Sequence, residues 1–218
     1  MNTRTMLAAG TVAGPLFLAT VAAQMLLREG FDITHHPISL LSLGDAGWVQ
    51  IANFVVAGVL VIALAGGLRR VLRSGRGSTW VPRLVGLHGV GLVAGGVFVA
   101  DPGLGFPPGT PDSIPDSLTW HGTIHAVAPP LAFVALVAAA ILMALRYRRQ
   151  GRRGWARYTA VTAGACLLLP AWPDLDSASW RLALGLVVGF AWVTAMALRE
   201  RSMLARFHRT PAMTASPA

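Results

Sequence analysis

Eighteen arginines and no lysine punctuate this chain of 218 residues, and where they fall limits the fold more than any other feature. Six apolar stretches separate them, over about 6–27, 46–68, 84–100, 120–145, 158–172 and 180–198. Thread these alternately through a bilayer with the N-terminus inside. Arg4, Arg69, Arg70, Arg73, Arg76, Arg83, Arg146, Arg148, Arg149, Arg152, Arg153, Arg157, Arg199, Arg201, Arg206 and Arg209 then share one side. Only Arg28 and Arg181 fall on the other. The acids are the mirror image: Glu29, Asp32, Asp45, Asp101, Asp112, Asp116, Asp174 and Asp176 lie opposite the arginines, and Glu200 lies among them. Arginine bias in short loops sets membrane orientation, with the rich side cytoplasmic.

The expected fold is therefore all-α. It is a polytopic membrane protein with six transmembrane helices in a compact bundle and both termini cytoplasmic. Residues 1–199 form the spanning domain. Residues 200–218 form a basic cytoplasmic tail, partly disordered at its small-residue, proline-containing end. Charged residues make up 12% of the chain, against about 25% in soluble domains. The third and fifth stretches fall short of the ~20 residues a span needs, so they borrow flanking residues or thin the bilayer. The first stretch, ending near Val21-Ala22-Ala23, is longer than the ~7–15 residue core of a cleaved signal. It reads as a span.

The net charge of +9 does not point to nucleic acid, because it sits in short loops between spans. It suits the anionic inner leaflet of a bacterial cytoplasmic membrane, at about 1 kcal/mol per well-placed basic residue. Membrane lipids are the expected partners, and a homo-oligomer is compatible with the sequence. Cys166, the single cysteine, reads as a small buried helix residue. Glycines four apart at Gly10 and Gly14, Gly91 and Gly95, and Gly185 and Gly189 are expected to let helices approach closely. Pro129 and Pro130 are expected to kink the fourth span. Asp45 with Trp48, Asp116 with Trp120, and Asp176 with Trp180 recur before three spans, read as an acid or a Ser/Thr capping each helix start and a Trp anchoring at the interface.

Polar residues gather near the outer ends of the first four helices. The loop after Pro37 is too apolar to hang free and is expected in the interface or tucked between helices. His121 and His125 are four apart and share a helix face. That spacing can present two imidazoles to one metal, given a third ligand. Asp101, at the end of the third span, and His36 or His35 are the candidate completions, and Ser39 can orient a water or substrate oxygen. Asp101, His121 and His125 are expected within hydrogen-bond or metal-bridging reach, with Ser39 or His36 at their border. The competing reading makes them hydrogen-bonded or pH-titrating histidines. His88 lies about 16 Å from the outer end of its helix and reads as a packed or hydrogen-bonded histidine outside that cluster. Its depth disfavours a haem shared with His125. Gln50 and Asn53 either line the same pocket or bond a neighbouring helix.

The stretches His36-Pro37-Ile38-Ser39, Gly47-Trp48-Val49-Gln50-Ile51-Ala52-Asn53-Phe54, Phe98-Val99-Ala100-Asp101-Pro102, Gly105-Phe106-Pro107-Pro108-Gly109 and Trp120-His121-Gly122-Thr123-Ile124-His125 carry a resemblance. The chain resembles an uncharacterised bacterial membrane family, domain of unknown function 998, over nearly all six helices. That resemblance brings no reaction. A chemical analogy reaches ceramidase- and progestin-receptor-like membrane hydrolases, which hold zinc with Ser, Asp and His at one membrane face. Ser39, Asp101, His121 and His125 match in residue type, but those proteins have seven helices and carry the paired histidines in the last. Two function classes follow. One is a zinc-dependent lipid hydrolase with Asp101, His121, His125 and His36 on the metal and Ser39 beside it. The other is a non-enzymatic lipid- or partner-binding protein. A small transporter is disfavoured by the lack of mid-membrane Asp, Glu or Arg.

Overall fold

The computed structural model describes residues 1–174 and 177–207. Asp176, Arg209 and the expected disorder of the tail's end lie outside them. The described residues form helices α1 (Thr3–Leu27), α2 (Gly47–Val71), α3 (Trp80–Val97), α4 (Trp120–Arg149), α5 (Arg153–Ala171) and α6 (Ala178–Phe207). A 3₁₀ turn spans Ile38–Ser42. The chain is all-α, with no strand among the described residues beyond one isolated bridge, Gly103 to Phe106.

Most helices outrun the apolar stretches by a few residues, while α3 stops at Val97, short of the expected 100. α3 starts at Trp80 with Pro82 in its first turn, where a missing amide costs no intrahelical bond. α6 runs to Phe207, past the boundary expected at 199. Capping differs from the expectation in one place. The residue before α2 is Ala46 with no side-chain bond, so Asp45 does not cap that helix.

Each helix packs on its neighbours in sequence, and α6 returns to α1, closing a ring. The glycine pairs serve these contacts. Gly10 faces Leu64 and Ala197, and Gly14 faces Thr194 and Phe190. A Cβ at Gly91 would run into Ala132 of α4. Phe17 sits at the centre, with ring centroids 5.2 Å from Phe54 and 4.7 Å from Phe190. Asn53 donates to the Phe17 carbonyl (3.1 Å), and Gln24 donates to Gln50 (2.7 Å). Of the two readings of Gln50 and Asn53, bonding to a neighbouring helix is the one observed.

Five helices, all but α5, are long and apolar enough to cross a membrane. α5 falls short because Arg153 and Arg157 occupy its first turns. The outer surface agrees: Val59, Val90, Leu131, Val161 and Leu168 are all exposed. A soluble chain would not present so wide an apolar face to water. Trp48, Trp120, Trp172 and Trp180 are exposed at one end of the ring and Trp80 at the other, where interfacial tryptophans belong. This is a membrane-embedded protein.

Candidate functional site

At the tryptophan-rich end the loop from α1 to α2 folds back over the ring. Ile38, Leu40 and Leu41 are buried, so the apolar segment tucks between helices. Arg28, one of the two arginines that break the charge bias, holds it there. It donates to the carbonyls of Leu41 (3.1 Å) and Leu43 (2.6 Å), and its guanidinium lies 5.2 Å from the Phe106 ring centroid. Arg181, the other exception, is buried and donates to the carbonyls of Ser177 (3.1 Å), Trp172 (3.0 Å) and Asp174. Both staple loop carbonyls beside the helix ends.

His36 is buried within this loop. Its Nδ1 accepts the Asp32 amide (2.9 Å), and its Nε2 therefore carries the proton that it donates to the Leu104 carbonyl (2.7 Å). Both nitrogens are committed. Nearby, Thr34 donates its amide and hydroxyl to Asp32 (2.8 Å each), which holds that carboxyl below its ordinary range. Ser179 of α6 donates to the His35 carbonyl (2.8 Å), and His35 pairs with Asp112 (3.1 Å).

Asp101 is engaged through both oxygens, with one lone pair used on each. One carboxylate oxygen accepts the Thr119 amide (2.8 Å) and the other its hydroxyl (2.6 Å). The Thr119 hydroxyl in turn caps α4 by accepting from the Gly122 amide (3.1 Å). Gly122 has to be glycine, because a Cβ there would collide with the Asp101 carboxylate. The sequence signal for this was a threonine three residues before a glycine at a helix start, close to an acid across the hairpin. Asp101 is thus a cap of α4. His121 is exposed and lies against Trp120, with Phe98 nearby.

His125 turns inward. It is buried, and its Nδ1 donates to the Phe98 carbonyl (2.7 Å), so in the neutral ring the Nε2 is a free acceptor. His88 repeats the arrangement, with Nδ1 donating to the Ala132 carbonyl (3.0 Å). Both rings line one cavity of about 550 Å³, with Ser39, Cys166 and otherwise apolar side chains from the loop and α2 to α6. His88 is the buried, hydrogen-bonded histidine expected, but it is not set apart from His125, because both line this cavity. The two differ in depth, but the cavity is long enough to reach both. Its α4 wall alone runs from His125 to Val137, about 18 Å along the helix axis.

Two further acceptors belong to this wall. Pro129 and Pro130 lie inside α4 and have no amide hydrogen, so the carbonyls of His125 and Ala126 lack their helical donor. The cavity lining also includes Val134, Leu167 and Leu182, which are exposed on the outer face of α4, α5 and α6. The mouth therefore opens on an apolar surface. The structure brings Ser39 and His125 to one cavity. It ties Asp101 to Thr119, keeps His36 in the loop, and leaves His121 outside. Among the described residues, no three His, Cys, Asp or Glu side chains are grouped to hold a metal.

These features define an integral all-α membrane protein with an apolar, histidine-bearing cavity between its helices. The chain belongs to the DUF998 family, described as proteins of unknown function, whose model matches residues 11–207. No curated protein and no solved structure matches it.

Proposed function

We propose that this protein binds a lipid, non-enzymatically, in the cavity between α2 and α6. In this reading it spans a bacterial cytoplasmic membrane six times, with α5 as the sixth span and both termini cytoplasmic. The cavity carries the argument. Its volume suits a small amphiphile, its length suits an extended chain, and its mouth faces the lipid side. The residues that line it carry several acceptors, the Nε2 atoms of two histidines and the carbonyls freed by the prolines, beside the Ser39 hydroxyl and the Cys166 thiol, which donates to Gly185. An acceptor-lined apolar pocket selects a chain whose head donates hydrogen bonds, such as a lipid hydroxyl, because an unpaired buried acceptor is costly.

The test is lipid extraction and mass spectrometry of the protein purified in mild detergent. The parent is expected to carry one lipid class in near-stoichiometric amount. Ala183→Trp, which fills the cavity from α6, is expected to reduce it at least tenfold at unchanged yield. Equal lipid in parent and variant would sink the reading. The topology is tested separately. Reporters fused after Arg76, Arg152 and the C-terminus are expected to report cytoplasm, and one near Asp112 the exterior. A cytoplasmic signal at Asp112 would invert the molecule.

The zinc hydrolase has one observation in its favour, Ser39 and His125 on the same cavity. Its donor set is thin, since both nitrogens of His36 are engaged and Asp101 is turned to Thr119, with each oxygen already accepting one hydrogen bond. Metal analysis decides it: about one zinc per parent chain, lost in His125→Ala, would carry it.

A further inference from the structure

At the opposite end of the ring, arginines from three helices and two connections converge. Arg70 lies in the last turn of α2, Arg73 follows that helix, Arg146 lies in the last turn of α4, Arg152 sits in the turn to α5, and Arg199 comes from α6. All five line one recess of about 760 Å³, together with a single acid, Glu200. We infer that this recess is a binding site for a phosphate-bearing anion. The inference is independent of the outer cavity and of its lipid.

Membrane orientation asks only that arginines lie in cytoplasmic loops. It does not ask five of them to share one concavity, where like charges repel. Five guanidiniums against one carboxylate leave an excess of four positive charges. One oxygen of that carboxylate already accepts from Arg199 (2.8 Å) and from the Tyr147 hydroxyl (3.2 Å). An anion from outside is what balances the rest.

Three of the guanidiniums are also positioned in advance. Arg146 donates through Nη1 to the carbonyls of Ser74 (2.7 Å) and Arg76 (3.1 Å). Arg73 donates through Nε to the Arg70 carbonyl (3.0 Å). Arg199 is held over Tyr147, 4.4 Å from its ring centroid, and over Trp155 at 5.4 Å. A guanidinium has five N–H donors; the hydrogen bonds of Arg146 and Arg73 use part of the fork, and the ring contacts of Arg199 use its face. Free edges fixed in direction match the oxygens of a phosphate, which accepts paired N–H bonds. Leu72 and Met203 supply apolar wall beside the charge, as the headgroup of an anionic lipid would require. Free phosphate offers the same oxygens without the chain.

The experiment compares two double variants of the full chain in detergent. R73Q/R152Q removes two exposed arginines of the recess. R148Q/R149Q removes two exposed arginines outside it, with the same loss of charge. The probes are phosphatidylglycerol, phosphatidylcholine and inorganic phosphate, read by native mass spectrometry and thermal shift. The parent and R148Q/R149Q are expected to retain phosphatidylglycerol at least tenfold over phosphatidylcholine, and R73Q/R152Q to lose that preference. Stabilisation of the parent by inorganic phosphate, absent in R73Q/R152Q and without a lipid preference, would assign the site to a soluble phosphate. Equal losses in both double variants, or no response of the parent to either anion, overturns the site. Should R73Q/R152Q not fold, phenylglyoxal labelling of the parent serves instead. Phosphatidylglycerol or inorganic phosphate is expected to protect Arg73 and Arg152 but not Arg148 and Arg149, and uniform labelling overturns the proposal.

Discussion

Glu200→Ala is expected to lower stability by about 3–5 kcal/mol, read as a large fall in the apparent melting temperature in detergent. Glu200 is the one acid on the arginine-rich side, and the structure accounts for it. Its side chain and that of Arg199 are 11% and 10% exposed, and they pair at 2.8 Å. Tyr147 of α4 donates to the same carboxylate oxygen. Arg199 also stacks against Trp155 of α5, so the group ties α6 to both neighbours. Alanine would leave a desolvated guanidinium without its counter-charge and a buried hydroxyl without its acceptor. Replacing both partners by Met is expected to cost less than Glu200→Ala alone, since no charge is then left unpaired. A loss under about 1 kcal/mol for Glu200→Ala would place the pair in water, where exposed pairs contribute that little.

The fold was legible in the sequence because the bilayer imposes coarse, one-dimensional rules. Apolar length gave the helices and the loop after Pro37. The arginine pattern gave which helix ends lie together, seen in Arg70 donating to the Met1 carbonyl and Arg146 to that of Ser74. The site was less legible, for reasons that can be named. Depth along a helix was used to part His88 from His125, but a long cavity joins residues at different depths. Helical spacing puts His121 and His125 one turn apart, but His121 is exposed against Trp120 while His125 is buried. Spacing alone does not say which member of an i, i+4 pair faces the core, and here only His125 does. Asp101 looked available for chemistry because its partner Thr119 is far off in sequence, and local backbone capping across a hairpin leaves no periodic trace. Arg28 and Arg181 were visible as exceptions to the charge bias. Their role as carbonyl staples depends on tertiary contacts.

Gly89→Ala is expected to destabilise the protein by about 1–3 kcal/mol, although it adds one methyl group. No glycine pair marked this contact in advance, since Gly89 and its partner Gly58 lie on different helices. A Cβ at Gly89 would stand 2.8 Å from the Gly58 carbonyl oxygen and 3.0 Å from the Ile62 amide nitrogen of α2. At Gly58 it would meet the Gly89 carbonyl oxygen at 2.6 Å. These are backbone atoms, and they cannot turn aside as a side chain can. Only separation of α2 from α3 makes room, and every contact along that crossing weakens with it. Gly164→Ala in α5 is the internal control, because a Cβ there meets nothing within 4 Å. It removes the same helix-breaking tendency without a clash, so it is expected to be neutral or to stabilise by up to about 1 kcal/mol. Melting both variants beside the parent in one detergent compares packing with propensity. If Gly89→Ala melts no lower than Gly164→Ala, α2 and α3 do not approach backbone to backbone, and the ring is looser at that crossing than described.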